Sequence, residues 1–548
     1  MPLASLAMSS SLFSTDQLQT DSQVPLGDLD SGVLATLSHG GVVRHPSWSV
    51  QWWIGAEDRW HRPDVEPSTR QRWLKATPVV ESVIKIPSGS AVCTTAVARR
   101  GGSEFPGVLS EVRNDSPIPV GCARVLSSSG AMLADERGLF FEGEQVVSVT
   151  RGQLRFAGAE SLDALAEMLA KEELSTEPVA RRGGVVAVVA PLPHTATAAA
   201  LVHPVGGGTN AILDRAALPT SDQIVAGWQR HVQAVGRVLP DDPRDSDQVS
   251  LATAFTLIEA SAEADTTALA NSLEALCRIG AWPAHSYRCA ELLTELRNRQ
   301  RLNGSFEGEN PLGSTVAAIS AMSAAWSAGI SYESGATLVG PIAAAHHWSS
   351  KKRRFAELAA VPHAAATFLA AAGTLEDLGQ PEVASTLVAT AQSLRVRNGV
   401  SIASDLDTAS DLHSAAEAAS AASAASVLLA DLRAHVVEDA SGLDFWPGFR
   451  QDQFGQPCEV HGIATRFGSF SCAIRWHGRR PALLWELDPW NRSVPEETAS
   501  GSGIPTLRAS ALDPDWAGSG LRGEALLAEP TRAPESSVSL SPSGGSFS

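Results

Sequence analysis

Lysine, tyrosine and positive charge are scarce in this chain of 548 residues. Lysine occurs at only five positions and tyrosine at 2, so the basic residues are nearly all arginine, which we attribute to a compositional bias. The 60 acidic residues outnumber the 42 basic ones and leave a formal net charge of -18. Such a chain is poorly suited to neutralising phosphates, which argues against a nucleic-acid partner and against an anionic membrane surface.

Long apolar runs and paired cysteines are also missing. No window reaches about 18 consecutive apolar residues, so no membrane span is expected. Residues 1–20 have neither the basic nor the apolar part of a secretory signal peptide. The 6 cysteines are scattered without a CxxC pair, a pattern typical of buried thiols in a reducing compartment. Together these absences predict a cytoplasmic protein.

Composition and periodicity divide the chain into five parts. Residues 1–24 and 528–548 are rich in Ser, Pro and Gly, and we predict that both are disordered tails. Residues 25–215 consist of short runs of Val, Ile and Thr separated by Gly or Pro, which predicts an antiparallel β-sandwich. Residues 221–438 have the 3.6-residue period of helices, and the β pattern returns in a small domain over 441–527.

The helical part contains nine periodic segments. Ser221, Ser314 and Thr408 are suited to cap helix starts, and breaks are expected at glycine or proline. The segments are residues 221–238, 250–262, 266–279, 285–300, 314–328, 333–349, 353–373, 381–396 and 408–437. The last is crowded with Ala and Ser, whose small side chains allow close helix packing.

Four segments carry a resemblance to a known family. They are WSVQWWIGAEDRWH (48–61), RNRQRLNGSFEGENPLGSTVAAISAM (297–322), LVGPIAAAHHWSSKKRR (338–354) and RFGSFSCAIRWHGRRPALLWEL (466–487). With the order of the domains, they resemble the six-hairpin glycosidase superfamily, and they look like stretches of actinobacterial proteins of that kind. The resemblance implies an (α/α) toroid flanked by β-sandwich domains, and an oligosaccharide or another glycan as partner. A full toroid has twelve helices, so nine segments imply a shortened one.

The loop RLNGSFEGENPLGST is the best place for catalytic carboxylates. Glycoside hydrolysis uses two carboxyl groups, one as acid and the other as base or nucleophile. Glu307 and Glu309 lie in this Gly-rich loop between two predicted helices, and Asn303 is able to bind sugar hydroxyls. The alternative is an exposed loop whose glutamates are solvated.

A second carboxylate is predicted shortly before the Ala-rich segment. Asp405 and Asp407 lie in SIASDLDTASD, and either one is a candidate partner of the loop glutamates. Acidic residues at this position also favour the positive end of a helix dipole. Helix capping is therefore the alternative explanation.

Aromatic residues supply the candidates for sugar contacts. The chain has 14 tryptophans, and an indole ring stacks well on the apolar face of a sugar. We single out Trp52, Trp53, His346 and Trp348 as candidate substrate-binding residues. For the two strand tryptophans, burial in the core or in a domain interface is the alternative.

Motifs for other chemistries are missing from the sequence. It has no HExxH, no metal-spaced Cys/His set, no GxxxxGK[ST] loop and no GxSxG elbow. We therefore expect neither a metal nor another cofactor. The sequence indicates a glycoside-hydrolase-like protein that, if active, cleaves a glycosidic bond by acid/base hydrolysis. The alternative is a catalytically inactive relative that serves as a glycan-binding or protein-interaction scaffold.

Overall fold

The computed structural model describes most of the chain. The described residues are 23–99, 106–205, 211–240, 243–261, 264–398, 423–439, 442–449, 453–490 and 504–530. The predicted tails, residues 1–24 and 528–548, lie almost entirely outside these ranges, and so does the segment with Asp405 and Asp407.

The N-terminal part is built from antiparallel strands. Among the described residues, fifteen strands form one hydrogen-bonded network in which β4 pairs with β10 and β15 pairs with β9. Their bounds are Val24–Asp28 (β1), Gly32–Ser38 (β2), Val42–His45 (β3), Trp48–Gly55 (β4), Trp60–His61 (β5), Arg70–Leu74 (β6), Thr77–Ile86 (β7), Gly89–Arg99 (β8), Pro106–Asn114 (β9), Val120–Asp135 (β10), Gly138–Phe141 (β11), Glu144–Val149 (β12), Arg155–Ala159 (β13), Val179–Leu192 (β14) and Thr197–Val202 (β15).

This sheet folds over on itself into two layers. Buried side chains of β4, β10 and β14 pack against those of β7, β8 and β9, for example Trp52 and Cys122 on one side and Ile84 on the other. Arg124 of β10 joins the layers, because its guanidinium donates to the Ser110 hydroxyl of β9 at 2.8 Å. The predicted β-sandwich is therefore confirmed.

One helix covers the outer face of the sandwich. Helix α1, Leu162–Ala170, begins after Ser161, whose side chain accepts a hydrogen bond from the backbone N–H of Ala164. Its buried Leu165 and Leu169 pack on strands β13 and β14. Burial of leucines on this face contributes roughly 2 kcal/mol per side chain.

The central part contains eleven helices among the described residues, where the sequence predicted nine segments. They are Ser221–Gln233 (α2), Pro243–Glu259 (α3), Thr266–Arg278 (α4), Ser286–Asn298 (α5), Pro311–Ser327 (α6), Tyr332–Ala336 (α7), Val339–Ser349 (α8), Phe355–Leu358 (α9), Ala364–Asp377 (α10), Pro381–Asn398 (α11) and Ala424–His435 (α12). The predicted segments 333–349 and 353–373 are each two helices. The second break falls at His363, whose φ of 59° lies in the left-handed region.

The first helical segment was predicted over 221–238, and its predicted end is wrong. Helix α2 stops at Gln233, and the chain then turns into strand β16, Arg237–Pro240, which pairs with a C-terminal strand. Gly236 makes the turn possible, because a Cβ there would lie 2.6 Å from the Gly462 carbonyl oxygen. A side chain at this position would collide with backbone.

Four of the helices pack side by side in the order α10, α6, α4 and α12. Helix α11 packs against α10, α8 against α6, and α5 against α4. The C-terminal ends of the four helices meet: Arg433 of α12 contacts Glu274 of α4, and Trp326 of α6 donates to Asp377 of α10. The predicted arrangement of helical hairpins is confirmed.

The C-terminal part returns to β-structure in two small sheets. One joins β16, β19, β20, β21 and β24, and the other joins β17, β18, β22 and β23. The further strands are Val436–Glu438 (β17), Gly442–Phe445 (β18), Cys458–Thr465 (β19), Gly468–His477 (β20), Arg480–Pro489 (β21), Thr506–Ala509 (β22), Asp513–Gly518 (β23) and Arg522–Leu526 (β24). The predicted fold class is thereby confirmed from end to end.

A continuous apolar core joins the three parts. On the N-terminal side, Trp73 of β6 meets Phe255 of α3 edge to face at 5.2 Å between ring centres. On the C-terminal side, the buried rings of Phe445 and Phe470 lie 4.9 Å apart. Within the described ranges, no helix combines the length and apolar character needed to cross a membrane.

Candidate functional site

The loop over residues 299–310 is held in one shape by its own polar side chains. The Asn303 side chain accepts hydrogen bonds from the backbone N–H and the hydroxyl of Ser305, at 2.9 and 2.8 Å. Gly304 has a φ of 93°, and a Cβ there would lie 2.2 Å from the Ala344 carbonyl oxygen of α8. The amide oxygen of Asn303 is thus used inside the loop.

Two of the predicted carboxylates lie on this loop and face solvent. Glu307 is exposed, and one of its carboxylate oxygens lies 3.6 Å from the Arg301 guanidinium. Glu309 is exposed as well. Asn310 then accepts from the backbone N–H of Gly313 at 3.0 Å and starts helix α6. The structure therefore brings Asn303, Glu307 and Glu309 together on one rim.

The rim belongs to a place where several helix ends meet. The Thr267 hydroxyl near the start of α4 lies 2.9 Å from the Ser314 hydroxyl near the start of α6. One turn further along α4, the Asn271 amide is 3.4 Å from the Ser426 hydroxyl near the start of α12. These contacts place the N-terminal ends of α4, α6 and α12 side by side.

We call this region the N-terminal mouth. It comprises loop 299–310, the first turns of α4, α6 and α12, and the C-terminal end of α3. Arg299 fastens the loop to it by donating to the Ala264 carbonyl at 2.5 Å. Three helix N-termini contribute partial positive charge here, which favours anionic groups.

Glu259, the last residue of α3, is the carboxyl group of the mouth with a perturbed pKa. Burial raises its pKa from 4.5 to about 7, and a hydrogen bond from the backbone of Ala424 at the start of α12 opposes the rise only in part. A carboxyl group whose pKa is about 7 can hold and release a proton near neutral pH, which is what a general acid requires.

The sequence analysis missed Glu259. The signal that could have found it is a lone glutamate at the end of the apolar run LATAFTLIEASA. Charged residues are rarely buried without a partner, so an acidic residue in such a run marks a group with an altered pKa.

Asp405 and Asp407 lie outside the described residues. Their assignment as a second carboxylate therefore stays a prediction.

The strand tryptophans lie in the core. Trp52 is 1 % exposed between the two layers of the sandwich, and its indole N–H donates to the Gly40 carbonyl at 2.7 Å. Trp53 is 0 % exposed beneath α1, where its N–H donates to the Gln51 side chain at 2.9 Å. The alternative interpretation of the sequence, burial in the core, describes both residues.

His346 and Trp348 are buried between helices. The His346 ring contacts the Thr390 hydroxyl of α11 at 3.0 Å, and burial, aided by His347, lowers its pKa to about 4. Trp348 is covered by the Arg354 guanidinium, 4.0 Å above its ring. Both side chains fill the interface of α8 with its neighbours, and neither lies on the rim of loop 299–310.

The C-terminal ends of α4 and α12 hold buried ion pairs. Glu274 is 1 % exposed and contacts the Arg278 and Arg433 guanidinium groups at 2.8 and 2.9 Å. Burial alone would raise its pKa, but the two arginines outweigh burial and lower the pKa to about 2. This carboxylate is ionised at any ordinary pH, so it is unsuited to act as an acid.

Glu438 connects this end to the C-terminal sheets. Burial raises its pKa, although Arg466 and Arg278 pull in the other direction. Its carboxyl group accepts from the Arg466 backbone N–H at 2.9 Å and from the Ser327 hydroxyl at 3.3 Å. These contacts compensate for the burial of the Glu438 carboxyl group. They make Glu438 part of the junction between the helical part and the C-terminal sheets.

Two shallow cavities are lined by residues that do not belong to the mouth, although Arg288 joins Leu29 of the second cavity to Ala260, next to Glu259. One, of about 270 Å³, is lined by β10, β11 and Gly143, and the other, of about 220 Å³, lies between the sandwich and α2. Among the described residues, no group of three or more His, Cys, Asp or Glu side chains is placed to hold a metal ion.

Comparison with known proteins returns solved glycosidases. The chain is similar to a bacterial glucoamylase in complex with acarbose, with a TM-score of 0.45 and 9% identity, over 72% of this chain and 69% of the other. No protein-family model and no curated protein sequence matches the chain.

Two GH92 mannosidases from Bacteroides thetaiotaomicron are more distant. An α-mannosidase in complex with mannoimidazole has a TM-score of 0.27, 9% identity, and coverage of 71% of this chain and 62% of its own. An inverting mannosidase has a TM-score of 0.27, 11% identity, and coverage of 71% and 64%. The chain thus spans less than two thirds of these mannosidases. At such TM-scores, function has to be argued from the residues of this chain.

Proposed function

We propose that this protein is a glycoside-hydrolase-like protein that binds a glycan at the N-terminal mouth and cleaves a glycosidic bond there by acid/base hydrolysis. The observation that carries the proposal is Glu259, whose pKa burial raises to about 7 beside the start of α12, while Glu307 and Glu309 lie on the loop that Arg299 ties to Ala264. Glycoside hydrolysis needs this combination of one protonated and one ionised carboxyl group.

In this mechanism Glu259 is the general acid. Its proton passes to the glycosidic oxygen as the bond to the anomeric carbon breaks, so the leaving sugar departs as a neutral alcohol. Its pKa of about 7 leaves it protonated below that pH, whereas an exposed glutamate is mostly ionised.

The partner carboxylate comes from the rim. Glu309 is exposed and has no ion-pair partner among the described residues, whereas Glu307 lies beside Arg301. We therefore assign Glu309 one of two roles: the base that takes a proton from the water attacking the anomeric carbon, or the nucleophile whose glycosyl ester water then cleaves. Glu307 is the alternative residue for this role. Asp405 and Asp407 stay candidates for the same role on the strength of the sequence.

A non-catalytic glycan-binding scaffold is the second candidate function. It is favoured by two observations: Glu307 is ion-paired, and both cavities noted above lie outside the mouth. In this case the mouth holds a glycan through hydroxyl and amide groups such as those of Thr267 and Asn271.

The experiment that tests the proposal measures reducing sugar released from a panel of α- and β-linked oligosaccharides. Removing a general acid typically lowers the rate by about 10²–10⁴-fold. We expect Glu259→Gln to lose turnover while retaining its fold by circular dichroism. The matched control is Glu382→Gln, at the exposed start of α11, which should retain full turnover.

The outcomes separate the two candidates. Equal turnover of wild type and Glu259→Gln would refute the assigned acid. Saturable oligosaccharide binding without any product would support the scaffold. Neither binding nor turnover across the panel would contradict both.

A further inference from the structure

The second of the two cavities, of about 220 Å³, lies at the junction of the sandwich and the helical part, and its lining combines charged and apolar side chains. We call it the interdomain cavity; it is formed by the end of β1 and the following turn, by the end of β8 and by one face of α2. Its volume is below the roughly 300–1,000 Å³ of pockets for drug-sized ligands, so it suits one small molecule.

The wall from the sandwich is a fixed set of charged groups. The Arg99 guanidinium donates to the Asp28 carboxylate at 2.6 Å and to the Ser31 hydroxyl at 2.9 Å. Arg288 of α5 holds the same turn by donating to the Leu29 carbonyl. The turn that carries Asp30 is therefore fastened from both parts of the fold.

Asp30 is the solvent-exposed hydrogen-bond acceptor of this wall. Its side chain is 79 % exposed and reaches Arg99 only at 3.4 Å. On this wall the Arg99 guanidinium lies beside both carboxylates, and Arg288 reaches the turn only at the Leu29 carbonyl.

The wall from α2 supplies aromatic surface. Trp228 is 8 % exposed, and the exposed His231 ring lies 6.1 Å from it at an angle of 63°. Between them along the cavity is Gly227, where a Cβ would meet no atom within 4 Å. The helix therefore presents an indole, an imidazole and open space.

We propose that the interdomain cavity is a second binding site, which takes a single neutral, hydroxyl-rich ring such as a monosaccharide or the terminal unit of a glycan. Sugar hydroxyl groups can donate to a carboxylate and accept from a guanidinium or an imidazole. The apolar face of the sugar can pack on indole and aliphatic side chains. The choice of sugars as the ligand class rests on the proposed function, but the site is separate from the mouth.

The test is a ligand-observed NMR titration of the full chain with methyl α-D-glucoside and with methyl α-D-mannoside. A ligand of this size in such a site is expected to bind with a Kd on the order of 1 mM. Asp30→Asn removes one charged acceptor and should weaken binding about tenfold. Asp222→Asn, an exposed change on α2 outside the cavity, is the matched control.

A second variant separates loss of the site from loss of the fold. Gly227→Leu places a side chain into the open space and should abolish binding with an unchanged or higher Tm, since leucine favours helix more than glycine. Its control is Gly340→Leu in α8, another helical glycine where a Cβ meets nothing within 4 Å.

The measurements also distinguish binding in the interdomain cavity from binding at the mouth. Weaker methyl-glycoside binding by Asp30→Asn is expected whether or not the protein turns over oligosaccharides, so the two proposals can fail independently. Asp222→Asn and Glu382→Gln, at exposed positions outside both sites, should bind the methyl glycosides as wild type does. Binding that survives both Asp30→Asn and Gly227→Leu would overturn the proposal, as would the absence of binding well above the expected Kd. A response to choline or inorganic phosphate in place of the sugars would also overturn it.

Discussion

Replacing Glu274 by glutamine tests the buried ion pairs that join α4 to α12. Glu274 is 1 % exposed and contacts Arg278 of its own helix and Arg433 of α12. The change from the ordinary pKa of 4.5 to about 2 corresponds to ~3 kcal/mol of stabilisation. Removal of one partner from a buried ion pair typically costs about 3–5 kcal/mol, so the two values agree.

We therefore expect Glu274→Gln to destabilise the helical part by ~3 kcal/mol. In a unit of this size, the Tm of the corresponding transition should fall by about 6–12 °C, measured by calorimetry at pH 7. Because the multidomain chain need not unfold in one step, the comparison is made on the transition that the variant moves.

The control is Glu295→Gln in α5. Glu295 pairs with Arg299 at 2.9 Å with the same four-residue spacing that joins Glu274 to Arg278, but its side chain is 36 % exposed. Exposed pairs of this kind contribute about 0.3–0.5 kcal/mol. Equal losses of stability in the two variants would refute the role assigned to burial.

The effect should also depend on pH in a definite direction. The folded-state pKa of Glu274 is lowered, so its stabilisation is present above about pH 4.5 and is lost as the pH falls towards 2. The difference in Tm between wild type and Glu274→Gln should shrink over that window. A constant difference down to pH 3 would contradict the assignment.

Two further predictions concern the loop and a buried histidine. Gly304→Ala should destabilise the protein by about 1–3 kcal/mol and lower any turnover, because the added Cβ meets the Ala344 carbonyl at a positive φ. Thermal scans should show no such loss of stability for Gly340→Ala. Equal losses in the two variants would contradict the prediction. The pKa of His346 is lowered to about 4, so its contribution to stability is present above pH 6.5 and is lost as the pH falls towards 4. Acid titration of His346→Gln should therefore show a smaller fall in Tm over this window than wild type, and an unchanged fall would refute the reasoning.

The sequence predicted the order of the three parts because each part has a clear periodicity. Alternation such as that of the buried Ile84 and the exposed Lys85 in β7 requires only local chemistry, and so do most of the helix starts. Helix ends that depend on contacts with distant parts of the chain were less predictable. The strand β16 follows from the contact of Gly236 with Gly462, more than two hundred positions away, and no local pattern contains that information.

The candidate site was predicted in part for a similar reason. The loop with Glu307 and Glu309 stands out in the sequence because it is rich in Gly, Asn and Pro between two helices. Glu259 was missed since its altered pKa arises from burial against another helix, with Ala424 far along the chain. For Trp52 and Trp53 the sequence favoured the core or a domain interface over a sugar-contacting surface, and the folded sandwich places both rings in the core.

Hydrogen–deuterium exchange of the Glu259→Gln variant with and without a bound malto-oligosaccharide tests the location of the site most directly. The variant keeps the ligand intact, so exchange reports binding alone. We expect slower exchange in peptides that cover the end of α3, loop 299–310 and the start of α12, with little change over β17 and β18. Protection confined to the opposite helix ends, or none at saturating ligand, would contradict a glycan site at the N-terminal mouth.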